Sequence, residues 1–298
     1  MHFPISGVET YWWLPPLVAF GISCLTSTGG LSGAFLLLPF QVSALGFTGP
    51  AVTPTNLVFN IVAIPSGVYR YYREKRMVWP LAGAIIIGTL PGMFVGAFVR
   101  VTFLPDLKTF KPFVGFVLAY IGVRLLKDAL PRRTRPKALP ATVRQFSVTS
   151  PTLTFKQVRY EFNDASHYAS TWGILMLGFV VGMIGGAYGI GGGAIVAPFL
   201  VTVFGLPVYT VAGAALLGTF VSSIAGVVYY VILGSFHSSP PISTSPDWLL
   251  GALFGIGGFA GVYVGARLQR HVPARFIKAF LALCVLSIAV IYISEFFL

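Results

Sequence analysis

The sequence predicts an all-α integral membrane protein built from two inverted-topology repeats. Each repeat holds a short-helix pair or re-entrant hairpin broken at glycines, followed by three spanning helices. Three observations carry this prediction. The 298 residues are 56% hydrophobic and only 9% charged, with a mean hydropathy of +0.83. A soluble chain carries about 25% charge, and so few ionic groups cannot cover a soluble surface. The Lys and Arg residues gather on one side of the apolar segments, and the chain repeats itself at a fixed offset.

Apolar runs bounded by Pro, Gly or charge fall at 12–28, 31–46, 51–70, 79–100, 108–127, 171–187, 190–205, 209–234, 248–268 and 275–296. Helix is expected throughout, because backbone groups in lipid must be paired within the segment. The pairs 12–28/31–46 and 171–187/190–205 are short for an apolar core of about 30 Å, since sixteen residues rise only about 24 Å. Each pair is two short spans or a hairpin meeting inside the protein. Either arrangement returns the chain to the side it came from, so the topology downstream is the same.

The basic residues set the orientation. Arg70, Arg73, Lys75 and Arg76 follow the third segment. Arg124, Lys127, Arg132, Arg133, Arg135, Lys137, Arg144, Lys156 and Arg159 sit in and around the connection 128–170. Arg267, Arg270, Arg275 and Lys278 flank the last turn. All three groups fall on one side and hold seventeen of the twenty Lys and Arg, which makes that side cytoplasmic. Arg100, Lys108 and Lys111 remain for the other side, where both termini are expected. The net charge of +12 is thus topogenic, and no nucleic-acid partner is expected. "MHFPISGVETYWW" has no basic n-region, so no secretory signal is expected. Cys24 and Cys284 lie in apolar segments and give neither a disulfide framework nor metal-site spacing.

Slid by 159 residues, Gly30, Gly33, Pro39, Phe40, Gly46, Leu57, Gly67 and Tyr71 fall on Gly189, Gly192, Pro198, Phe199, Gly205, Leu216, Gly226 and Tyr230. After an insertion in the loop 235–247, an offset of 169 brings Trp79, Gly88, Gly92 and Gly96 onto Trp248, Gly257, Gly261 and Gly265. The division is a first membrane repeat at 1–130, a basic cytoplasmic linker at 131–170, at most partly ordered, and a second repeat at 171–298. Each half has an odd number of crossings, so the second enters from the opposite side. Inverted repeats of this kind build secondary transporters, with the substrate near the midplane between the halves.

Two glycine patterns need separate readings. "GTLPGMFVG" and "GGFAGVYVG" place glycine at every fourth residue, a flat stripe for close helix packing. "GGAYGIGGGAIVAP" is denser. Gly189, Gly191, Gly192 and Gly193 lie where two short segments join, and their counterparts are Gly29, Gly30 and Gly33. A dinucleotide fingerprint needs a preceding strand and an acidic residue about twenty positions on, and neither is present. A break between half-helices fits better, since glycine tolerates its non-helical dihedrals. The helix after such a break begins with free N–H groups and a positive dipole end, an anion site without a basic side chain. A tight turn holding no ligand is the alternative.

The polar residues suit an uncharged lining. Asn56 and Asn60, four apart, share one helix face. Asn60 and Thr219 are repeat partners, which draws both towards a common axis, and Ser222 and Ser223 follow Thr219. All eight acidic residues (Glu9, Glu74, Asp106, Asp128, Glu161, Asp164, Asp247, Glu295) fall in loops or at segment ends. A carboxylate proton relay and a carboxylate-lined cation path are therefore disfavoured. A neutral, dipole-lined site suits an anion, and coupled protons would ride on the substrate. The histidines lie outside the span centres, so neither a metal site nor His-based catalysis is expected. The expected partners are a small anion and the lipid bilayer, with no cofactor.

"GMIGGAYGIGGGAIVAPFL", "VAGAALLGTFVSSIAGVVYY" and "YRYYREKRMVWPLAGAIIIGTLPGMFVGAFV" resemble the Gly-rich signature, the small-residue helix and the basic loop with its Trp and glycine helix in the TauE/SafE sulfite exporter family. The resemblance covers nearly the whole chain. It implies transport of sulfite or of sulfur-containing organic anions such as sulfonates and sulfoacetate, usually outward. It implies a site at Gly189, Gly191, Gly192 and Gly193 with Ser222 and Ser223 on the next helix. "STGGLSGAFLLLP" lacks the full Gly-x-Gly-Gly-Gly, and Asn56 and Asn60 stand where smaller residues are expected. The alternatives are a passive anion channel of the same fold and a carrier of a non-sulfur organic anion. A membrane enzyme would need paired carboxylates, a Ser/His/Asp set or metal ligands, and the sequence offers none of these.

Overall fold

The computed structural model describes residues 1–28, 32–129, 148–162, 165–236, 244–268 and 274–297. A short hairpin, β1 (His2–Phe3) and β2 (Val8–Glu9), precedes five helices: α1 (Leu14–Thr28), α2 (Ala34–Ser43), α3 (Val52–Arg73), α4 (Trp79–Thr102) and α5 (Leu107–Ala129). Three strands follow, β3 (Val148–Leu153), β4 (Gln157–Phe162) and β5 (Ala165–Ser170). Five more helices complete the chain: α6 (Thr171–Tyr188), α7 (Gly193–Thr202), α8 (Val208–Phe236), α9 (Trp248–Leu268) and α10 (Ala274–Phe297).

Among the described residues, six helices (α4, α5, α6, α8, α9 and α10) contain stretches long and apolar enough to cross a membrane. α2 and α7 have ten residues each and rise only about 15 Å, half the apolar core. α3 is long enough at 22 residues but carries too many polar groups to qualify by composition. Its residues from Val52 to Asn60 are all buried, so its polar side chains meet protein and not lipid. All five Trp are exposed and sit at helix starts. Trp12, Trp13 and Trp248 precede or open α1 and α9, while Trp79 and Trp172 open α4 and α6. Amphipathic indoles prefer the membrane–water interface.

The four-residue glycine stripes pack helices, as their spacing predicts. An added methyl on Gly88 would stand 2.7 Å from the Leu175 carbonyl, and on Gly92 or Gly96 it would overlap the carbonyls of Phe179 and Met183. Those contacts advance together along α4 and α6, so the two helices run parallel. Gly257, Gly261 and Gly265 of α9 meet Pro16, Phe20 and Cys24 of α1 in the same way. Under the repeat offset α4 becomes α9 and α6 becomes α1, so one close pairing is the image of the other. The equivalent helices themselves pack antiparallel. Gly213, Gly218 and Gly226 of α8 have neighbours on α3 and α4, with Gly213 on Tyr71 and Gly226 on Leu57 of α3. Gly115 and Gly122 of α5 meet Ile293 and Leu286 of α10.

One expectation needs correction. The chain is mostly helical and not all-α, because part of the segment between α5 and α6 is a folded sheet. β3, β4 and β5 form an antiparallel sheet in that order, because "QVRYEF" alternates polar and apolar residues with the period of a half-buried strand. Val158, Tyr160 and Phe162 of β4 are buried. The sheet is tied to the helices by Val148 N–H donating to Lys75 O at 3.1 Å and by Tyr160 OH against Thr210 Oγ1 at 2.7 Å. Residues 131–147 of the expected linker lie outside the described residues.

Two charged residues at segment ends are nevertheless buried. Asp247 is 3% exposed. It caps α9 by accepting from Leu250 N at 3.1 Å and holds the N-terminal hairpin through Ser6 Oγ at 2.8 Å. Arg100 is completely buried.

Candidate functional site

The second glycine cluster is a helix break. α6 stops where Gly189 adopts φ 87°, its N–H returning to Gly185 O at 2.8 Å. Gly191 follows at φ 72°, and α7 starts at Gly193. Both dihedrals lie in the left-handed region that side chains resist. There is also no room for a side chain. A Cβ on Gly191 would come 2.6 Å from Thr219 Cγ2, one on Gly189 would come 2.8 Å from Thr53 O, and one on Gly193 would overlap Ala215 O.

α3 reaches this break from one side with its two asparagines. Asn56 Nδ2 donates to Gly189 O at 2.9 Å and to Ala34 O at 3.0 Å, while its Oδ1 accepts from Gln41 Nε2 at 3.2 Å. One turn on, Asn60 Nδ2 donates to Ile190 O at 3.2 Å, and Asn60 Oδ1 accepts from Ser32 Oγ at 3.1 Å. The side-chain amides therefore lace the start of α2 to the break before α7, and both are fully buried. A primary amide suits this task because it donates and accepts at once.

α8 closes the other side. Thr219 packs on Gly191 and Gly193, and its hydroxyl returns to Ala215 O at 3.0 Å, the usual local bond of a hydroxyl in a membrane helix. Ser222 Oγ accepts from Gly192 N–H at 3.2 Å and donates to Thr219 O at 3.1 Å. Ser223 Oγ is buried without a hydrogen-bond partner. Asn60 and Thr219 thus meet opposite faces of one break, at Ile190 and Gly191.

Of the residues singled out from sequence, Asn56, Asn60, Gly189, Gly191, Gly192, Gly193, Thr219, Ser222 and Ser223 come together here. Gly33 stands at the start of α2, where a Cβ would lie 2.8 Å from Ser23 Oγ. Gly29 and Gly30 lie outside the described residues. The Gly192 amide is capped by Ser222, so not every main-chain donor of the break is free.

Sequence reasoning missed three groups. Gln41 is a fully buried amide in an otherwise apolar run, a signal available from its surroundings. Tyr188 donates to Phe35 O at 2.7 Å, joining the halves beside the break, and within the second half Tyr230 donates to Gly186 O at 2.8 Å. Arg100 is the largest omission. Its Nε donates to Thr53 Oγ1 at 3.2 Å, Nη1 donates to Leu104 O, and its guanidinium lies 3.7 Å from the Phe110 ring centroid. Nη2 is buried with no partner. Thr53 in turn packs on Gly189, so a guanidinium stands one residue away from a break expected to be uncharged.

The TauE sulfite exporter model, TauE/SafE, matches residues 16–292. That span takes in the break before α7, both asparagines and all ten described helices but the start of α1 and the end of α10. The chain belongs to the TauE/SafE sulfite exporter family. A curated relative, the probable membrane transporter protein YunE of Bacillus subtilis (strain 168), is 28% identical over 187 residues. The match covers 60% of this chain and 63% of that relative, so the chain spans somewhat under two thirds of the relative's length. No solved structure matches. Family membership, with six helices among the described residues long and apolar enough to cross a membrane, makes this chain a multi-pass membrane protein.

Proposed function

We propose that the chain is a secondary transporter that moves sulfite, or a small sulfur-containing organic anion such as a sulfonate or sulfoacetate, outward by alternating access. The observation that carries this reading is the lacing of Ala34 and Ser32 to Gly189 and Ile190 through Asn56 and Asn60. The start of α2, from one half, and the break before α7, from the other, are held against each other. Substrate sites of repeat-built carriers form at such discontinuities.

The antiparallel packing of equivalent helices supports inverted repeats. So does the exchange of α4–α6 for α9–α1 under the repeat offset. Halves of opposite sense give a physical route to alternating access: each can adopt the shape its partner leaves, and the site then faces the other side. Hydroxyls, side-chain amides and glycine main chain supply dipoles without a carboxylate, and the Arg100 guanidinium adds positive potential beside them. Both favour an anion. Coupled protons travel on the substrate, and the basic side is cytoplasmic by the positive-inside rule.

The test is sulfite flux in proteoliposomes. A carrier saturates and is accelerated by sulfite on the opposite side. Conductance without saturation overturns alternating access in favour of a channel. Flux of carboxylate anions with none of sulfite or sulfonates overturns the substrate.

A further inference from the structure

A narrow cleft of ≈ 40 Å³ lies between the halves. It is bordered by Ser32 and Gly33 at the start of α2, by Arg70 and Tyr71 near the end of α3, and by Leu216 of α8 and Val262 of α9. Ser32 is fastened to Asn60, and Arg70 lies ten residues farther along α3, about 15 Å away. The cleft therefore follows α3 from the level of the laced break to the basic end of the protein. One water needs about 10–15 Å³ on this measure, so the cleft holds a group the size of about three waters.

Arg70 has donors to spare. Its Nε donates to Glu74 Oε1 at 3.0 Å, and its Nη1 is buried without a hydrogen-bond partner. Glu74 is shared with Arg76, whose guanidinium forms a second ion pair with it and sits over the Tyr71 ring at 5.1 Å. One carboxylate between two guanidiniums leaves the cluster net positive. Buried donors are almost always satisfied, and an orphaned guanidinium N–H beside a cleft is the donor that an oxyanion takes up in bidentate fashion.

We propose that this cleft is the docking site for the anion on the basic, cytoplasmic side. Arg70 is the binding cation and Glu74 the counter-ion that the substrate displaces. This rests on the anion-transport reading above and narrows it: the room suits a compact oxyanion such as sulfite, not a longer organosulfonate.

The experiment is calorimetric titration of the purified full chain in nanodiscs with sulfite, sulfoacetate and phosphate. Arg70→Gln should weaken sulfite at least tenfold. Arg70→Lys should fall between Gln and Arg, since an ammonium keeps the charge but not the fork. Glu74→Gln, which frees Arg70, should tighten sulfite severalfold. Sulfoacetate should bind at least tenfold more weakly than sulfite, and equal affinity overturns the size argument. A folded Arg70→Gln protein that binds sulfite like the parent overturns the site. If that variant does not fold, Glu74→Gln decides, and unchanged or weaker binding overturns it. Sulfite flux with affinity indifferent to both residues removes the cleft and leaves the transporter. Arg70-dependent phosphate binding without sulfite binding keeps the cleft and removes the sulfur assignment.

Discussion

The side-chain amide of Asn60 donates to the main-chain carbonyl of Ile190 across 3.2 Å and across the boundary between the two halves. Ile190 sits between two glycines in left-handed conformations, where no helix bond is available to its carbonyl. The asparagine supplies what the broken helix has lost.

Asn60→Leu leaves that carbonyl and Ser32 Oγ without their partner inside the protein. An unsatisfied buried group costs about 1–3 kcal/mol. The variant should unfold correspondingly earlier in detergent and show a raised apparent KM for sulfite. An unchanged KM in a destabilised protein reduces Asn60 to a brace.

Gly191 and Gly205 separate conformational strain from steric demand. Both have positive φ, but nothing lies within 4 Å of a Cβ on Gly205, while Thr219 and Ser223 crowd one on Gly191. Gly205→Ala should cost only the left-handed penalty of about 1–2 kcal/mol. Gly191→Ala should cost that and the overpacking of α8, a further ~1–3 kcal/mol. Thermal unfolding of the two variants side by side measures the difference, and equal losses contradict the packing described.

Gly92 and Gly83 make the matching comparison on α4. A methyl on Gly92 runs into the Phe179 carbonyl, whereas one on Gly83 meets nothing within 4 Å. Gly92→Ala should push α6 away at a cost of about 1–3 kcal/mol. Gly83→Ala should be neutral or stabilising by up to about 1 kcal/mol, the helix-propensity gain.

Arg100→Lys keeps the charge but gives up the flat guanidinium over Phe110 and the separate donors to Thr53 and Leu104. A compact ammonium cannot reproduce that geometry. A loss of about 1–3 kcal/mol is expected from the unmet acceptors. Parent-like stability means that charge alone is what the position requires.

Burial pushes the Tyr160 phenol up to about 12, against a smaller downward pull from its bond to Thr210. Thr210 Oγ1 also donates to Pro207 O at 2.9 Å. The folded phenol holds its proton more tightly than an unfolded one, whose value is near 10. Its contribution to docking the sheet is full below about pH 10 and is lost as pH rises towards 12. Tyr160→Phe should remove this alkaline step in a fluorescence-monitored titration and cost about 0.5–1.5 kcal/mol at neutral pH. An alkaline step that persists in Tyr160→Phe belongs to another group.

The glycine periodicities were legible from sequence because their causes are local. A glycine at every fourth residue can only mark one helix face, and clustered glycines at a junction mark dihedrals that other residues avoid. The three-stranded sheet was also legible in the alternation of "QVRYEF", but its basic neighbours drew the segment into the linker. The burial of Arg100 and Asp247 was not legible, for a different reason. Their positions at segment ends say nothing about what folds over those ends, and it is Phe110 and the Ser6 hairpin, distant in sequence or across a turn, that cover them.

By itself the sequence determined that the chain lives in a membrane, that its glycine patterns recur at a fixed offset, and where α6 must give way to α7. Each of these follows from composition and spacing along one strand of polymer. Tertiary structure alone decided that the polar first half of α3 is buried in protein, and that its asparagines tie the start of α2 to the break before α7. It also left an unpaired guanidinium donor beside the cleft at Arg70. Burial and hydrogen-bond partnership are properties of pairs of distant residues, and only the packed chain brings those pairs together.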